Sequence, residues 1–242
     1  MNEILVIKNL AKRYESKEIH KNVSFSLYQG ETLGLLGPSG TGKSVLLRSL
    51  IGLEEIDQGE IQYRGQRIDN LSEKKLFAIR TKISYAFQSG ALFDSISVFE
   101  NVAYPLLEHT KLREHEIDSK VMEILKIVNM EEAREKMPSD LSGGMQKRVG
   151  LARAMALNPD ILLYDEPTAG LDPVNVEMVL DVMEKAKARG CSGIFVTHDI
   201  HAAKKVCDRF IILKQGHVGF EGSWQDMEMS SDPFVQSFLL GQ

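Results

Sequence analysis

Short apolar segments alternate along the chain with amphipathic stretches of helical period. Ile4–Ile7 and Val23–Leu27 carry β-branched and aromatic residues, which predicts two half-buried strands. Thr32–Leu36 predicts a buried strand that runs into a glycine-rich loop, and Ser44–Ile51 predicts a helix closed by Gly52. The opening of the chain therefore indicates an α/β fold.

The later part of the chain repeats this alternation around one long helical region. Strands are predicted at 61–63, 83–87, 161–164 and 193–197, helices over 72–80 and 173–189 and from Ile200, and a hairpin over 209–220. Residues 89–157 are mostly helical in pattern, with Val121 and Leu125 spaced to share one helix face. We predict a mainly parallel sheet with flanking helices and an inserted helical lobe.

Composition and charge narrow the classes of function. The 242 residues contain 29 Lys+Arg and 34 Asp+Glu, a formal charge of −5, and 43% of them are apolar. No apolar run approaches the roughly 18 to 20 residues of a membrane-spanning helix, and the mild acidic balance speaks against a nucleic-acid ligand. Cys191 and Cys207 lack a CxxC pairing, which fits a reducing compartment. We expect a single cytoplasmic unit.

The glycine-rich loop carries the first chemical signal. It matches the phosphate-binding pattern G-x-x-x-x-G-K-[ST] in full, with the residues Gly37, Pro38, Ser39, Gly40, Thr41, Gly42, Lys43 and Ser44. Such glycines let backbone N–H groups surround a phosphate, and the following helix directs its positive end to the same point. Lys43 would neutralise the β- and γ-phosphates of a nucleotide, and the Ser44 hydroxyl would bind Mg²⁺.

A pair of acidic residues follows a strand of four apolar residues, 161–164. Asp165 is placed to hold Mg²⁺, and Glu166 is the better candidate for polarising the attacking water. In isolation an acidic pair after a strand is more often a solvated turn or a helix cap. The phosphate loop in the same chain favours the catalytic interpretation.

A second glycine-containing segment begins a helix rich in Arg and Ala. Ser142, Gly143 and Gly144 would expose a hydroxyl and N–H groups there, which makes a second anion site, although Ser-Gly-Gly is more often a plain helix cap. One chain with a single Lys43 and a single Glu166 has no use for two γ-phosphate sites. A composite site, in which this segment closes on the nucleotide of another subunit, resolves the contradiction.

Over essentially its whole length the sequence resembles the nucleotide-binding domain of the ATP-binding cassette (ABC) family. The matching motifs occur in the family's order, namely the loop 37–44, Gln88, the signature 141–145, Asp165-Glu166, the loop 169–172 and His198. The resemblance implies one P-loop NTPase domain over 1–242, with an N-terminal antiparallel β portion. Its RecA-like and β core would cover about 1–88 and 158–242, and its helical subdomain about 89–157.

The same resemblance implies roles that the residues alone do not establish. Gln88 would sense the metal and the attacking water, and His198 would contact the γ-phosphate. Asp172 would link the two sites across a head-to-tail homodimer, and Tyr14 would stack on adenine. The implied ligands are ATP and Mg²⁺, with Glu166, His198 and Gln88 as the catalytic residues and with Ser44, Gln88 and Asp165 as metal ligands.

Each of these roles has a simpler alternative. Asp172 before Pro173 is an ordinary helix N-cap, and Tyr14 alone is more often a half-buried aromatic at a sheet edge. His198, Asp199 and His201 suggest a metal cluster, but no third or fourth ligand has suitable spacing nearby in the sequence, and a lone His at a strand end fits a γ-phosphate contact better.

Two positions depart from the common family pattern. Val45 replaces the hydroxyl residue that often follows the P-loop Ser, which leaves only its backbone N–H for the α-phosphate. Ala169-Gly170 lacks the serine of the commoner loop, so a hydroxyl contact is in doubt there.

One phosphate loop and no heptad run favour a transporter ATPase over chromosome-maintenance and translation-factor cassettes, which need a coiled-coil insertion or two such loops. A cassette protein without a membrane partner remains the rival. Segments 87–93, 101–110 and 137–139 resemble the ATPase subunit of Mla-type systems, which act with a permease and an MCE-type binding protein on phospholipids or other hydrophobic cargo. A transporter for another substrate is the alternative.

These segments also lie where the family docks its permease. The resemblance implies that Gln88–Leu107 contacts the permease, on the cytoplasmic face of the inner membrane. An ordinary helical-lobe core is the alternative, because Val98, Val102 and Leu106 are at helical spacing.

Overall fold

The computed structural model describes residues 2–240, which form two compact units: 2–80 with 192–240, and 81–191. The strands are β1 (Glu3–Tyr14), β2 (Lys17–Tyr28), β3 (Thr32–Leu36), β4 (Gln58–Tyr63), β5 (Gln66–Arg67), β6 (Ile83–Ala86), β7 (Ile161–Asp165), β8 (Ser192–Val196), β9 (Arg209–Lys214) and β10 (His217–Gly222). The helices are α1 (Lys43–Leu50), α2 (Glu73–Arg80), α3 (Val98–His109), α4 (Glu114–Ile127), α5 (Gly143–Met155), α6 (Pro173–Ala188), α7 (Ile200–Val206), α8 (Trp224–Glu228) and α9 (Pro233–Leu239). Between residues 2 and 240, no helix combines the length and apolar character that crossing a membrane requires.

The unit formed by 2–80 and 192–240 begins with an antiparallel sheet in the order β2-β1-β4-β5. The first two strands are longer than predicted. For β1 the reason is that the apolar alternation is interrupted at Lys8-Asn9. Asn9 has a positive φ of 51°, and the β1–β2 register shifts between Ile7 and Leu10. This bulge returns Leu10 to the buried face, so the strand continues through a break in the pattern.

The second sheet of this unit has the order β10-β9-β3-β8, with β3 parallel to both of its neighbours. Every residue of β3 and of β8 is buried, as expected for strands covered on both faces. β5, α8 and α9 were not predicted, since each is short and polar or only weakly amphipathic. The carboxyl ends of β3 and β8 share one sheet edge, because parallel strands run in the same direction.

The unit formed by 81–191 pairs β6 with β7 in parallel and places only helical elements between them: α3, α4, α5 and two short 3₁₀ turns, Glu131–Ala133 and Pro138–Asp140. Val102, Leu106, Val121 and Val149 are fully buried and form the helical core. The mixed α/β class, with an antiparallel N-terminal sheet and parallel strands flanked by helices, is thereby confirmed. The subdomain bounds of about 89–157 stay a prediction.

Candidate functional site

The phosphate loop follows β3 and leads into α1. Gly37, Gly40 and Gly42 have φ values of 143°, 76° and 90°, a region that favours glycine. The first turn of α1 has no acidic residue and no side-chain cap, so its N–H groups form an anion-binding end. Lys43 is 5% exposed, and its Nζ donates to the carbonyl oxygens of Gly37 (2.7 Å) and Pro38 (3.0 Å). The loop is thus folded around its own lysine.

His20 on β2 lies directly beneath this loop and was not found from the sequence. It is 1% exposed, and its Nε2 lies 3.1 Å from the carbonyl oxygen of Gly42, which only accepts, so Nε2 carries the proton. A Cβ on Gly42 would lie 2.8 Å from Nε2. Burial lowers the pKa of His20 to about 4, although the Gly42 carbonyl acts in the opposite direction. His20 therefore supports the loop as a neutral donor.

This pKa predicts a loss of stability in mild acid. The unfolded chain protonates its histidine near pH 6.5 and the folded chain only near 4, so the free energy of unfolding falls as pH drops between these values, by about 3 kcal/mol. His20→Gln keeps an amide donor but cannot titrate, and it should remove this part of the pH dependence in denaturant titrations. The exposed His217→Gln is the control, and parallel curves for wild type and His20→Gln would contradict the assignment.

His198 emerges beside the phosphate loop at the shared edge of β3 and β8. Leu35 pairs with Val196 in the parallel ladder, and the loop and His198 follow within a few residues. His198 is exposed, whereas the preceding Thr197 is buried and its hydroxyl accepts from the Asp199 N–H at 3.0 Å. Asp199 caps α7 through the Ala202 N–H (3.0 Å), which explains its position next to His198.

Tyr14 ends β1 at the β1–β2 hairpin and is 40% exposed. The Lys12 Nζ lies 4.9 Å from its ring centroid. The hydrogen bond that its hydroxyl makes with Glu54 raises the pKa of Tyr14, mainly by favouring the protonated phenol. Tyr14 thus lies exposed at the end of an inner strand of the sheet, which is not the half-buried sheet-edge position of the simpler alternative, and adenine stacking stays a prediction.

A groove of about 590 Å³ runs along residues 38–41 of the phosphate loop. Its other walls come from β2 and the β9–β10 turn and include Lys17, Lys21 and Lys214. The lining also contains Glu18, which pairs with Lys21 at 3.2 Å, so Lys17, Lys214 and the N–H groups of the loop are what suit the groove to an anionic ligand.

In the unit 81–191, the parallel pair β6–β7 brings the predicted metal and water residues to one edge. Ala86 pairs with Tyr164, so Gln88 and the pair Asp165-Glu166 follow the same ends of adjacent strands. Asp165 is 7% exposed, and its Oδ2 accepts from the Tyr85 hydroxyl at 2.6 Å. Tyr85 was not found from the sequence, and it orients the carboxylate of Asp165.

Glu166 has a left-handed backbone, with φ 49°. This conformation is unusual for a residue with a Cβ and turns the chain sharply after β7. The Ala169 N–H then donates to the Glu166 carbonyl oxygen at 3.2 Å. The side chain of Glu166 consequently leaves the backbone in a different direction from that of Asp165. The separate roles predicted for the two residues, water activation and metal binding, require such a difference.

The exposed Gln88 lies in a tight turn that packs against α5. The Gly90 N–H donates to the Phe87 carbonyl oxygen at 2.9 Å, and a Cβ on Gly150 of α5 would lie 2.7 Å from the Gly90 Cα. Arg153 Nη2 donates to the carbonyl oxygens of Gly90 (3.0 Å) and Ala91 (2.8 Å). Burial lowers the pKa of Arg153. The segment after Gln88 is therefore held by α5.

Asn101 completes this support from α3. It is fully buried, its Oδ1 accepts from the Phe93 N–H, and its Nδ2 donates to the carbonyl oxygens of Phe93, Ile96 and Ser97. A buried amide with four backbone bonds fixes the loop that leads into α3. The sequence does not predict this role of Asn101, because its hydrogen-bond partners are brought together only by the tertiary fold.

The signature segment forms the N-terminus of α5. Ser142 is its N-cap and accepts from the Met145 N–H at 3.4 Å. Ser142 and Gly143 are exposed, and open space surrounds the position of a Gly143 Cβ. A Cβ on Gly144 would lie 2.6 Å from Asn175 Oδ1 on α6. The arrangement satisfies the cap alternative and also leaves a surface open to a second chain.

Asp172 caps α6 by accepting from the N–H groups of Val174 (3.0 Å) and Asn175 (3.1 Å), and Asn175 Nδ2 donates to its other oxygen at 2.5 Å. These bonds, with the Asn175 side chain foremost, lower the pKa of Asp172. The simpler alternative is thus what this chain shows, and a link across a dimer stays a prediction. The roles of Val45 and of the other loop residues likewise stay predictions.

Comparison with known proteins identifies the class. Residues 20–169 match the family described as "ABC transporter", and the chain belongs to this family as an ABC ATPase subunit. A dimeric post-hydrolysis structure of the ATP-binding cassette MJ0796 bound to ADP and Pi is similar to it with a TM-score of 0.85 and 33% identity, over 90% of this chain and 98% of that one. CbiO1 from Clostridium perfringens, part of the transporter complex cbiONQ, has a TM-score of 0.86 and 30% identity, over 99% and 96%.

Curated relatives are similar over most or all of the chain. The intermembrane phospholipid transport system ATP-binding protein MlaF of Haemophilus influenzae is 38% identical over 100% of this chain and 92% of that protein. MlaF of Escherichia coli K12 is 40% identical over 92% and 83%. The probable ribonucleotide transport ATP-binding protein mkl of Mycobacterium leprae is 41% identical over 100% and 70%. The predicted resemblance to Mla-type ATPases is confirmed.

Proposed function

We propose that this ATPase powers the movement of phospholipid or a similar hydrophobic cargo through a separate membrane permease of the Mla type, together with an MCE-domain protein. The similarity to MlaF proteins at 38–40% identity over 92–100% of the chain supports this proposal. The similarity to mkl, whose name specifies ribonucleotides, supports a transporter of another substrate as the second candidate.

The residue roles are supported by the order of the motifs and, for Lys43 and His198, by their places at one sheet edge. Lys43 and the loop N–H groups bind the β- and γ-phosphates of ATP, and His198 contacts the γ-phosphate from the same sheet edge. Glu166 accepts a proton from the attacking water, so that hydroxide character develops as the terminal phosphoryl group departs. Gln88 orients that water, and Tyr14 stacks on the adenine.

The donor set offered by Ser44, Gln88 and Asp165 fits Mg²⁺, since hydroxyl, amide and carboxylate oxygens are the hard ligands that this ion prefers. Bound there, the ion would neutralise charge on the phosphates. The Tyr85 hydroxyl donates to Oδ2 of Asp165 and holds the carboxylate in one orientation.

Each complete site combines Lys43 of one copy with Ser142, Gly143 and Gly144 of a second copy. The exposed cap of α5, the openness around Gly143 and the dimeric solved relative support this arrangement. Asp172, the N-cap of α6, would link the two sites across the head-to-tail dimer. ATP binding would close the dimer, and hydrolysis would reopen it.

The permease would dock on an apolar patch formed by Phe93, Tyr104 and Leu107, which are 46%, 44% and 60% exposed. The rings of Phe93 and Tyr104 lie 5.1 Å apart, and Leu107 follows Tyr104 by one helical turn on α3. Adjacent large apolar side chains left exposed on a surface are typical of an interface. This contact would hold the chain peripherally at the cytoplasmic face of the inner membrane.

Co-purification tests this proposal. We expect an integral membrane protein, an MCE-domain protein and phospholipid to co-purify with the full chain from detergent-solubilised membranes of its own cells. Leu107→Asp should lower the amount of co-purified permease about tenfold or more, because it places a charge in the contact. ATP binding should be retained. Phe77→Asp, at an exposed aromatic on α2, is the control. A complex that contains ribonucleotide and no MCE-domain protein would favour the second candidate.

A further inference from the structure

Lys147 lies on α5, one residue before the buried Arg148, and its Nζ donates to the carbonyl oxygen of Ala169. The side chain is half-buried. Burial lowers the pKa of Lys147, although the nearby carboxylate of Glu166 acts in the opposite direction. A lysine from the signature helix thus reaches the loop that follows Glu166 and lies within the field of its charge.

The contacted carbonyl belongs to the turn that Glu166 begins. The Ala169 N–H donates to the Glu166 carbonyl oxygen at 3.2 Å, and the Leu171 N–H donates to that of Thr168 at the same distance. The turn starts from the left-handed backbone of Glu166, with φ 49°. A strained backbone persists only when its surroundings hold it. Lys147 stabilises the far end of this turn through its bond to the Ala169 carbonyl oxygen.

Arg148 contacts the first turn of α6, which follows this loop. Its Nη1 donates to Asn175 Oδ1 at 3.1 Å, and Asn175 in turn donates to Asp172. Gly144 packs directly on the Asn175 side chain. Consecutive cations of α5 therefore bond to Ala169, in the loop after Glu166, and to Asn175, in the first turn of α6, which ties both segments to the signature helix.

We propose that Lys147 is a positioning residue for ATP hydrolysis, which holds the turn after Glu166 against the signature helix and thereby keeps the Glu166 carboxylate in its productive orientation. This inference rests on the proposed roles of Glu166 and Ser142. Since Ser142 begins α5 and engages the partner's nucleotide, Lys147 also transmits the occupancy of the partner's site to the Glu166 of its own chain.

The first test replaces Lys147 in the full chain. Lys147→Met keeps the length and apolar stem but removes the donor, and kcat for ATP should fall by about ten- to a hundredfold, the size expected for a misplaced catalytic group. KM and ATP binding should stay within about twofold, because a positioning role gives Lys147 no bond to the nucleotide. Lys147→Arg retains a donor and should restore most of kcat. Lys126→Met, on the exposed face of α4, is the matched control.

A double variant separates positioning from a general structural role. If Lys147 acts through Glu166, Lys147→Met should add little to the loss already caused by Glu166→Gln in single-turnover assays. A full additional loss in that background would overturn the inference, as would unchanged kcat in Lys147→Met or an equal loss in a folded Lys147→Arg. The proposed role of Glu166 fails separately, if Glu166→Gln hydrolyses ATP like wild type.

Discussion

Glu166→Gln should lower the turnover of ATP by about a hundredfold or more while ATP still binds, because the amide cannot accept the proton that a general base removes. The substitution preserves the size of the side chain. It also leaves the left-handed turn and its Ala169–Glu166 backbone bond in place. Steady-state hydrolysis and equilibrium binding of ATP, measured on the same preparation, separate the two effects.

The matched control for this result is Glu184→Gln on the exposed face of α6, which changes the net charge equally. It should retain wild-type turnover. A Glu166→Gln protein that hydrolyses ATP as fast as this control would show that another group activates the water.

The second large effect is expected from Lys43→Ala, which should weaken ATP binding by about ten- to a hundredfold or more. A hydrogen bond to a charged group contributes about 1.5 to 3 kcal/mol, and one factor of ten in affinity corresponds to about 1.4 kcal/mol. The substitution also removes the two bonds to the carbonyl oxygens of Gly37 and Pro38 that shape the loop. Titration with a fluorescent ATP analogue measures the affinity.

Lys74→Ala, on the exposed face of α2, should leave the affinity unchanged. Circular dichroism of Lys43→Ala should match wild type, because the change affects one loop. Wild-type affinity in a folded Lys43→Ala protein would overturn the assignment of the phosphate loop.

Motif positions could be predicted from the sequence because their chemistry is local. The glycines of the phosphate loop have positive φ values, as their places in the motif predict. Ser142 and Asp172 cap the helices that follow them, as a Ser or an Asp at a helix start predicts. Fully buried strands such as β3 and β7 were also found, since a short apolar run between turn residues has few alternatives.

The supporting residues could not be predicted, because their partners lie far along the chain. His20 reaches Gly42 across 22 positions, Tyr85 reaches Asp165 across 80, and Arg153 reaches Gly90 across 63. Nothing local distinguishes them from ordinary strand or helix residues. The extent of β1 was missed for a different reason: the bulge at Asn9 restores a buried face that simple alternation loses.

We propose that each ATP site is completed by two chains, with Lys43 from one and Ser142 from the other. The measurement mixes Lys43→Ala with Ser142→Arg, each of which should lack activity alone. In a head-to-tail dimer, one of the two sites in the mixed pair combines the intact Lys43 with the intact Ser142. Co-expression with separate tags and tandem purification isolates this mixed pair.

We expect ATP hydrolysis to return in the mixed pair, to about half of the wild-type rate if the two sites act independently, since twofold symmetry gives one intact site of two. The Glu166→Gln change placed on the Ser142→Arg chain, whose Lys43 completes that site, should abolish the recovery. A mixed pair as inactive as either parent would contradict the shared site, because Lys43 and Ser142 would then have to act within one chain.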